Sequence, residues 1–234
     1  MQQNKTGKGT LIVIEGLDGS GKATQAQLLY QHLLRQGRRV RQISFPDYAH
    51  KSSVLVQMYL SGEIGSLAEV NTYAASSFYS ADRYISFVTD WSREYQSGGV
   101  IVADRYTTSN ACHQMSKEPR ENWDSYLNWL REFEYEKMQL PVPDLVLYLD
   151  MHPNTSRRLL EKRYGGDGSR RDIHEANLGY LLACRESALY AAEKWGWKII
   201  RCCNGQEPYS LEQIAQQVQE ITRAFFTGTN WREK

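Results

Sequence analysis

The sequence predicts an α/β fold: a five-stranded parallel sheet with helices on both faces. Three observations lead there. Short apolar runs alternate with longer amphipathic segments five times along 234 residues, the order expected of strands joined by crossover helices. The apolar runs, such as LIVI at 11–14 and VIVA at 100–103, are continuous, as in strands buried on both sides. No repeat or low-complexity segment divides the chain, so a single domain over 1–234 is expected.

In chain order, Leu11–Glu15 reads as the first strand. Lys22–Gln36 follows as a helix, with Ala26, Leu29 and Leu33 at helical spacing and Gly37 as its stop. Val40–Phe45 is the second strand and Ser53–Leu60 a helix. Ala68–Gln96 is a long helical stretch of one helix or two. Val100–Asp104 is the third strand, after Gly98-Gly99. Asn122–Met138 is helical until Pro141 and Pro143 break it. Leu145–Asp150 is the fourth strand, and Pro153 opens a helix to about Arg163. A Gly-rich, basic loop, YGGDGSRR at 164–171, follows and reads as a lid over about 164–174. His174–Lys194 is helical, Trp197–Cys202 the fifth strand and Leu211–Phe226 the last helix. The ends, about 1–8 and 228–234, are expected to be loose.

Charge and composition exclude several classes. Lys plus Arg total 28 and Asp plus Glu 27, a net charge of +1, which argues against binding a nucleic acid polymer. Of the bases 18 are Arg, whose planar fork suits phosphates and carboxylates. No apolar run approaches the roughly 18 residues that span a membrane. The N-terminal MQQNKTGKGT lacks the apolar centre of a signal peptide, and the four Cys show no CxxC spacing. The expectation is a cytoplasmic protein with reduced thiols and no membrane partner. The five His do not cluster at ligand spacing, so no zinc is expected, and the six Trp read as packing residues.

The chemistry concentrates at strand ends, where parallel sheets bind ligands. Gly16, Leu17, Asp18, Gly19, Ser20, Gly21 and Lys22 follow the first strand and open the first helix, the GxxxxGK spacing of a phosphate-binding P-loop. Such a loop curls backbone N–H groups around phosphates at a helix N-terminus, and Lys22 would reach the β- and γ-phosphates of ATP. Ala23 stands where that motif carries a Ser or Thr hydroxyl for Mg²⁺, and Thr24 comes one position late. Mg²⁺ would then be held through water, with Asp18 and Asp104 nearest by topology. Asp104-Arg105-Tyr106 ends the third strand beside this loop, Arg105 suiting an anionic acceptor. In SSFYSADRY (76–84), Tyr79 and Arg83 lie four residues apart on one helix face, a ring and a donor fork that suit a nucleobase.

Together these residues resemble the thymidylate kinase family from Leu11 to about Ile221. The resemblance rests on IEGLDGSGKATQ (14–25), FPDY (45–48), YSADRY (79–84), DRYTTSNACHQ (104–114), LPVPDLVLYLD (140–150) and DIHE (172–175). It implies a P-loop NTPase fold, ATP and Mg²⁺ as cofactors, and the reaction ATP + dTMP → ADP + dTDP. It implies that Asp18 sits near the acceptor sugar and metal, that Asp104 and Arg105 form the acidic–basic pair with Arg105 on the dTMP phosphate, and that Tyr79 stacks on thymine. Arg83 is implied as the base reader, with Phe45, Pro46, Ser109 and Gln114 also on the acceptor side. A homodimer through Ser53–Leu60 and Ala68–Gln96 is implied as well.

The sequence departs from the family at four places. Ala23 replaces the hydroxyl residue. Tyr48 stands where an acceptor-phosphate Arg often follows FP. His113 replaces an aromatic before the Gln, a position associated with sugar selectivity. Gly19 replaces a P-loop Arg, which implies a catalytic Arg from the lid: Arg163, Arg170 or Arg171. Three alternatives stand beside dTMP phosphorylation: another monophosphate specificity, a deoxynucleoside kinase using Asp47 as base, and a nucleotide-binding pseudoenzyme suggested by Ala23. A P-loop GTPase is excluded, because NKTG at 4–7 is misplaced and lacks the Asp of a guanine reader.

Overall fold

Strands β1 (Thr10–Gly16), β2 (Val40–Ser44), β3 (Val100–Asp104), β4 (Leu145–Asp150) and β5 (Lys198–Arg201) pair in parallel in the order β2-β3-β1-β4-β5. The structure is a computed structural model that describes residues 8–66, 69–163, 178–205 and 207–228. Register sets the site: Ile14 of β1 pairs with Asp104 of β3, and Gly16 with Leu149 of β4. The phosphate loop therefore emerges between the acidic ends of two neighbouring strands.

Side chains of β1 alternate between two cores. Ile12 and Ile14 pack with Ala26, Leu29 and Leu33 of α1 (Lys22–Arg35) and with Ile214, Val218 and Ile221 of α9 (Leu211–Thr227). Leu11 and Val13 face the other side, among Trp91, Tyr106, Tyr126 and the alanines of α8 (Leu178–Trp195). That second face also carries α4 (Ser92–Gln96), α5 (Thr108–His113) and α6 (Trp123–Arg131), while α2 (Val54–Ser61) packs on α3 (Thr72–Ser86) and α7 (Pro153–Arg163) follows β4. Trp91, Trp123 and Trp197 are buried, as packing residues should be. The four cysteines are free thiols.

Several boundaries differ from the sequence reading. The stretch read as helix from Ala68 begins at Thr72, where Asn71 caps it by accepting from the Ala74 amide at 2.8 Å. It reaches Gln96 as two helices, the second of the two possibilities, because a widened π-turn at Phe87–Trp91 separates α3 from α4 and seats Trp91 in the core. The helix expected over Asn122–Met138 is present, as α-helix to Arg131 and then as a widened π-turn over Glu132–Lys137. The short α5, TSNACH, was not expected: its polar residues favour caps and turns, and packing on β1 and α8 overrides that preference. The lid segment 164–174, with Arg170 and Arg171, and the ends 1–7 and 229–234 lie outside the described residues.

Candidate active site

The phosphate loop is shaped by its glycines. A Cβ on Gly16 would come within 2.9 Å of the Leu149 carbonyl and 2.6 Å of Ser20 Oγ, so the loop closes only on a bare backbone. Gly21, in the left-handed region at φ 89°, caps α1, and a Cβ there would meet nothing within 4 Å. The concavity above the helix N-terminus is thus left open for an anion. Lys22 is buried and its ammonium rests on the loop itself, 2.9 Å from the Leu17 carbonyl and 3.4 Å from Asp18. Burial, and then Arg105, push its pKa below the usual lysine value. Ser20 Oγ is buried without a hydrogen-bond partner. Ala23 and Thr24 are exposed on the first turn of α1.

Arg105 links this loop to the second half of the site. Its backbone takes φ 67°, rare for a side chain with a Cβ, and its amide bonds the Ile14 carbonyl at 3.1 Å. That geometry turns the guanidinium onto Asp18, with His113 Nε2 at 3.1 Å and Glu15 at 3.9 Å. Burial alone would push the Asp18 carboxyl up, but Arg105 and then Lys22 outweigh it and hold it well below the carboxylate range. Asp104 behaves oppositely. Burial raises its pKa despite Lys22 and Arg105, and its Oδ1 has no hydrogen-bond partner. Asp104 Oδ1, left without a partner, and the Asp18 carboxylate line one cavity and are oxygen acceptors that suit a hydrated Mg²⁺, so these carboxylates fit the ion. Among the described residues, no cluster of three His, Cys, Asp or Glu could hold a metal directly.

A cavity of about 340 Å³ opens beside Arg105. Every residue that the sequence assigned to the acceptor lines it: Asp18, Phe45, Pro46, Tyr48, Tyr79, Arg83, Arg105, Ser109, His113 and Gln114. Asp104 lines it too, whereas Asp47 does not. Asp47 instead bonds His50 at 2.7 Å, and its amide donates to Asp82 at 2.9 Å. Tyr79 stands edge-on to buried Tyr59, with centroids 6.2 Å apart, and Gln114 Oε1 is buried without a partner in the wall. Tyr180 of α8 completes the rim, its ring 6.4 Å from that of His113. Arg163 closes α7, and its side chain lies outside the described set.

Two buried carboxylates were not foreseen. Glu15, at the end of β1, is fully buried and accepts from Thr108 Oγ1 at 2.7 Å, Ser109 Oγ at 2.8 Å and the Gly16 amide at 3.0 Å. It fastens α5 to the phosphate loop. Glu134, from the second π-turn, takes the Arg83 fork: Nε at 2.8 Å and NH2 at 2.5 Å. Arg83 was expected as the base reader. It does line the cavity, but most of its donors are already committed.

Comparison with known proteins gives a consistent result. The family profile described as "Thymidylate kinase" matches residues 14–210. A thymidylate kinase of Danio rerio is 25% identical over 230 residues, covering 96% of this chain and 98% of its own length. One from Mycobacterium tuberculosis is 29% identical over 199 residues, covering 81% of this chain and 90% of its own. One from Schizosaccharomyces pombe is 30% identical over 166 residues, or 69% and 71% of the two chains.

Proposed function

The chain belongs to the thymidylate kinase family, and on that premise we propose how its residues carry a phosphoryl group from ATP to dTMP, giving dTDP. The acceptor phosphate has a second pKa of about 6, so it is already largely dianionic at neutral pH. No general base is needed. The protein has to bring two anions into line and offset their repulsion. Lys22 leaves the Leu17 carbonyl for the transferring phosphate. Arg105 exchanges its bond to Asp18 for the acceptor phosphate, which sets Asp18 free. Asp18 and Asp104 are the residues that would hold a hydrated Mg²⁺, which when bound would offset phosphate charge. Tyr79 offers its ring to the base. Arg83 keeps one N–H beyond those given to Glu134, Ser80 and Tyr106, and a donor selects a base carbonyl over an amino group.

One observation supports a monophosphate acceptor over a nucleoside. Arg105, a phosphate-binding fork, lines the cavity, and Asp47, the base that a nucleoside kinase would use, lies outside it. We also propose that a second copy covers Val54 and Leu55 of α2 with Tyr84, Ile85 and the nearby Val88, which are exposed apolar side chains. The test is ADP release with MgATP across dTMP, dUMP, dCMP, UMP, dGMP and thymidine. Turnover of dTMP in preference to the others is expected. Turnover of thymidine but of no monophosphate would contradict the reading, and so would nucleotide binding without turnover.

A further inference from the structure

We infer that Glu134 is a positioning residue for the acceptor base, acting through Arg83. Glu134 does not line the cavity, so whatever it does for substrate it does through its partners. It is 0% exposed and Arg83 is 2% exposed, so this ion pair sits in the dry interior. A buried pair adds little net stability over apolar residues of similar volume, so its worth lies in the geometry it fixes.

That geometry is specific. Oε1 accepts from Arg83 NH2 at 2.5 Å, Ser80 Oγ at 2.8 Å and Asn110 Nδ2 at 3.2 Å. Oε2 accepts from Arg83 Nε at 2.8 Å and Thr107 Oγ1 at 2.6 Å. Ser80 and Arg83 belong to α3, which carries Tyr79 one residue before Ser80. Thr107 and Asn110 bracket Ser109 at the start of α5, which leads on to His113 and Gln114. One carboxylate therefore locks together the two helices that supply most of the base end. It also holds the Arg83 fork on two sides, which leaves a single NH1 hydrogen for a ligand beside the Tyr106 carbonyl at 3.4 Å. The widened turn over Glu132–Lys137 brings Glu134 to this point.

The inference rests on the acceptor reading above and deepens it. Glu134→Gln keeps the shape but turns an N–H donor against the guanidinium, so the fork must shift. The measurement is steady-state kinetics for dTMP, dCMP and ATP on wild type and Glu134→Gln, with thermal melting alongside. The expected result is a KM for dTMP raised by about 10- to 100-fold, with the KM for ATP unchanged and a reduced preference for dTMP over dCMP. In case Glu134→Gln folds poorly, the double variant Arg83→Met with Glu134→Leu removes both charges and is expected to fold. It should show the same loss of dTMP affinity and base preference. A folded variant of either kind with wild-type KM and base preference would overturn the inference, leaving the pair a packing device. Wild-type protein that does not turn over dTMP would instead overturn the kinase reading, and Glu134's role with it.

Discussion

The two ends of the cavity beside Arg105 treat charge differently. At the phosphate end, Arg105 and Asp18 pair while 18% and 30% exposed, and Lys22 leans on the same carboxylate. Unpartnered atoms occur at both ends, Ser20 Oγ and Asp104 Oδ1 here and Gln114 Oε1 in the opposite wall, so the contrast lies in the ion pairs themselves. At the base end, Arg83 and Glu134 are almost wholly buried and every carboxylate lone pair is in use. On the proposed reading the difference follows from use. An ion pair that opens for a phosphate is left partly exposed and replaceable, since the incoming anion takes over the role of Asp18, whereas a pair that holds a fixed donor toward a base is buried and saturated.

The largest effects should come from the exchangeable end. Lys22→Ala is expected to lower kcat by about a hundred- to a thousandfold, the scale of losing one preorganised charge, without lowering the melting temperature. Arg105→Gly should lose activity on the same order, and it should stay folded because glycine accepts φ 67° without strain. Unfolding of Arg105→Gly would erase the contrast between the two ends.

Of comparable size in free energy, Arg83→Leu should destabilise the fold by about 3–5 kcal/mol in denaturant titrations, because Glu134 is left buried and unpaired. A smaller effect of opposite sign is expected at Asp104. Its folded pKa is raised, chiefly by burial, so the stability it contributes is present at acid pH and lost as pH rises through that value. Asp104→Asn should therefore raise the melting temperature at neutral pH while lowering kcat. The smallest expected effect is a pH slope at Lys117, which donates to Tyr59 Oη at 2.6 Å behind Tyr79. Burial pushes this lysine down to about 8. Stability should rise as pH climbs from about 8 toward the ordinary lysine range, and Lys117→Met should flatten that rise.

The sequence made the sheet and the cavity wall readable, because both depend on local pattern. Val100–Asp104 and Leu145–Asp150 are continuous apolar runs, and their bounds match the strands. The acceptor residues sit in compact motifs at strand and helix ends. What stayed hidden depends on packing between distant segments. Glu134 lies in EFEYEK, where three acids in six residues read as solvated, and within the π-turn Glu134 is the buried one. Tyr180 reaches His113 across 67 positions of sequence. Glu15 did carry a signal: a carboxylate directly after LIVI, in a strand buried on both sides, requires partners.

The most direct test of the exchange at one end and permanence at the other is a crystal structure with dTMP bound. In that structure the Arg105 guanidinium is expected to have left Asp18 for the phosphate, while Arg83 Nε and NH2 still hold Glu134 near 2.8 Å and 2.5 Å. Arg105 still seated on Asp18 beside bound dTMP, or Arg83 released from Glu134 to meet the base, would contradict it.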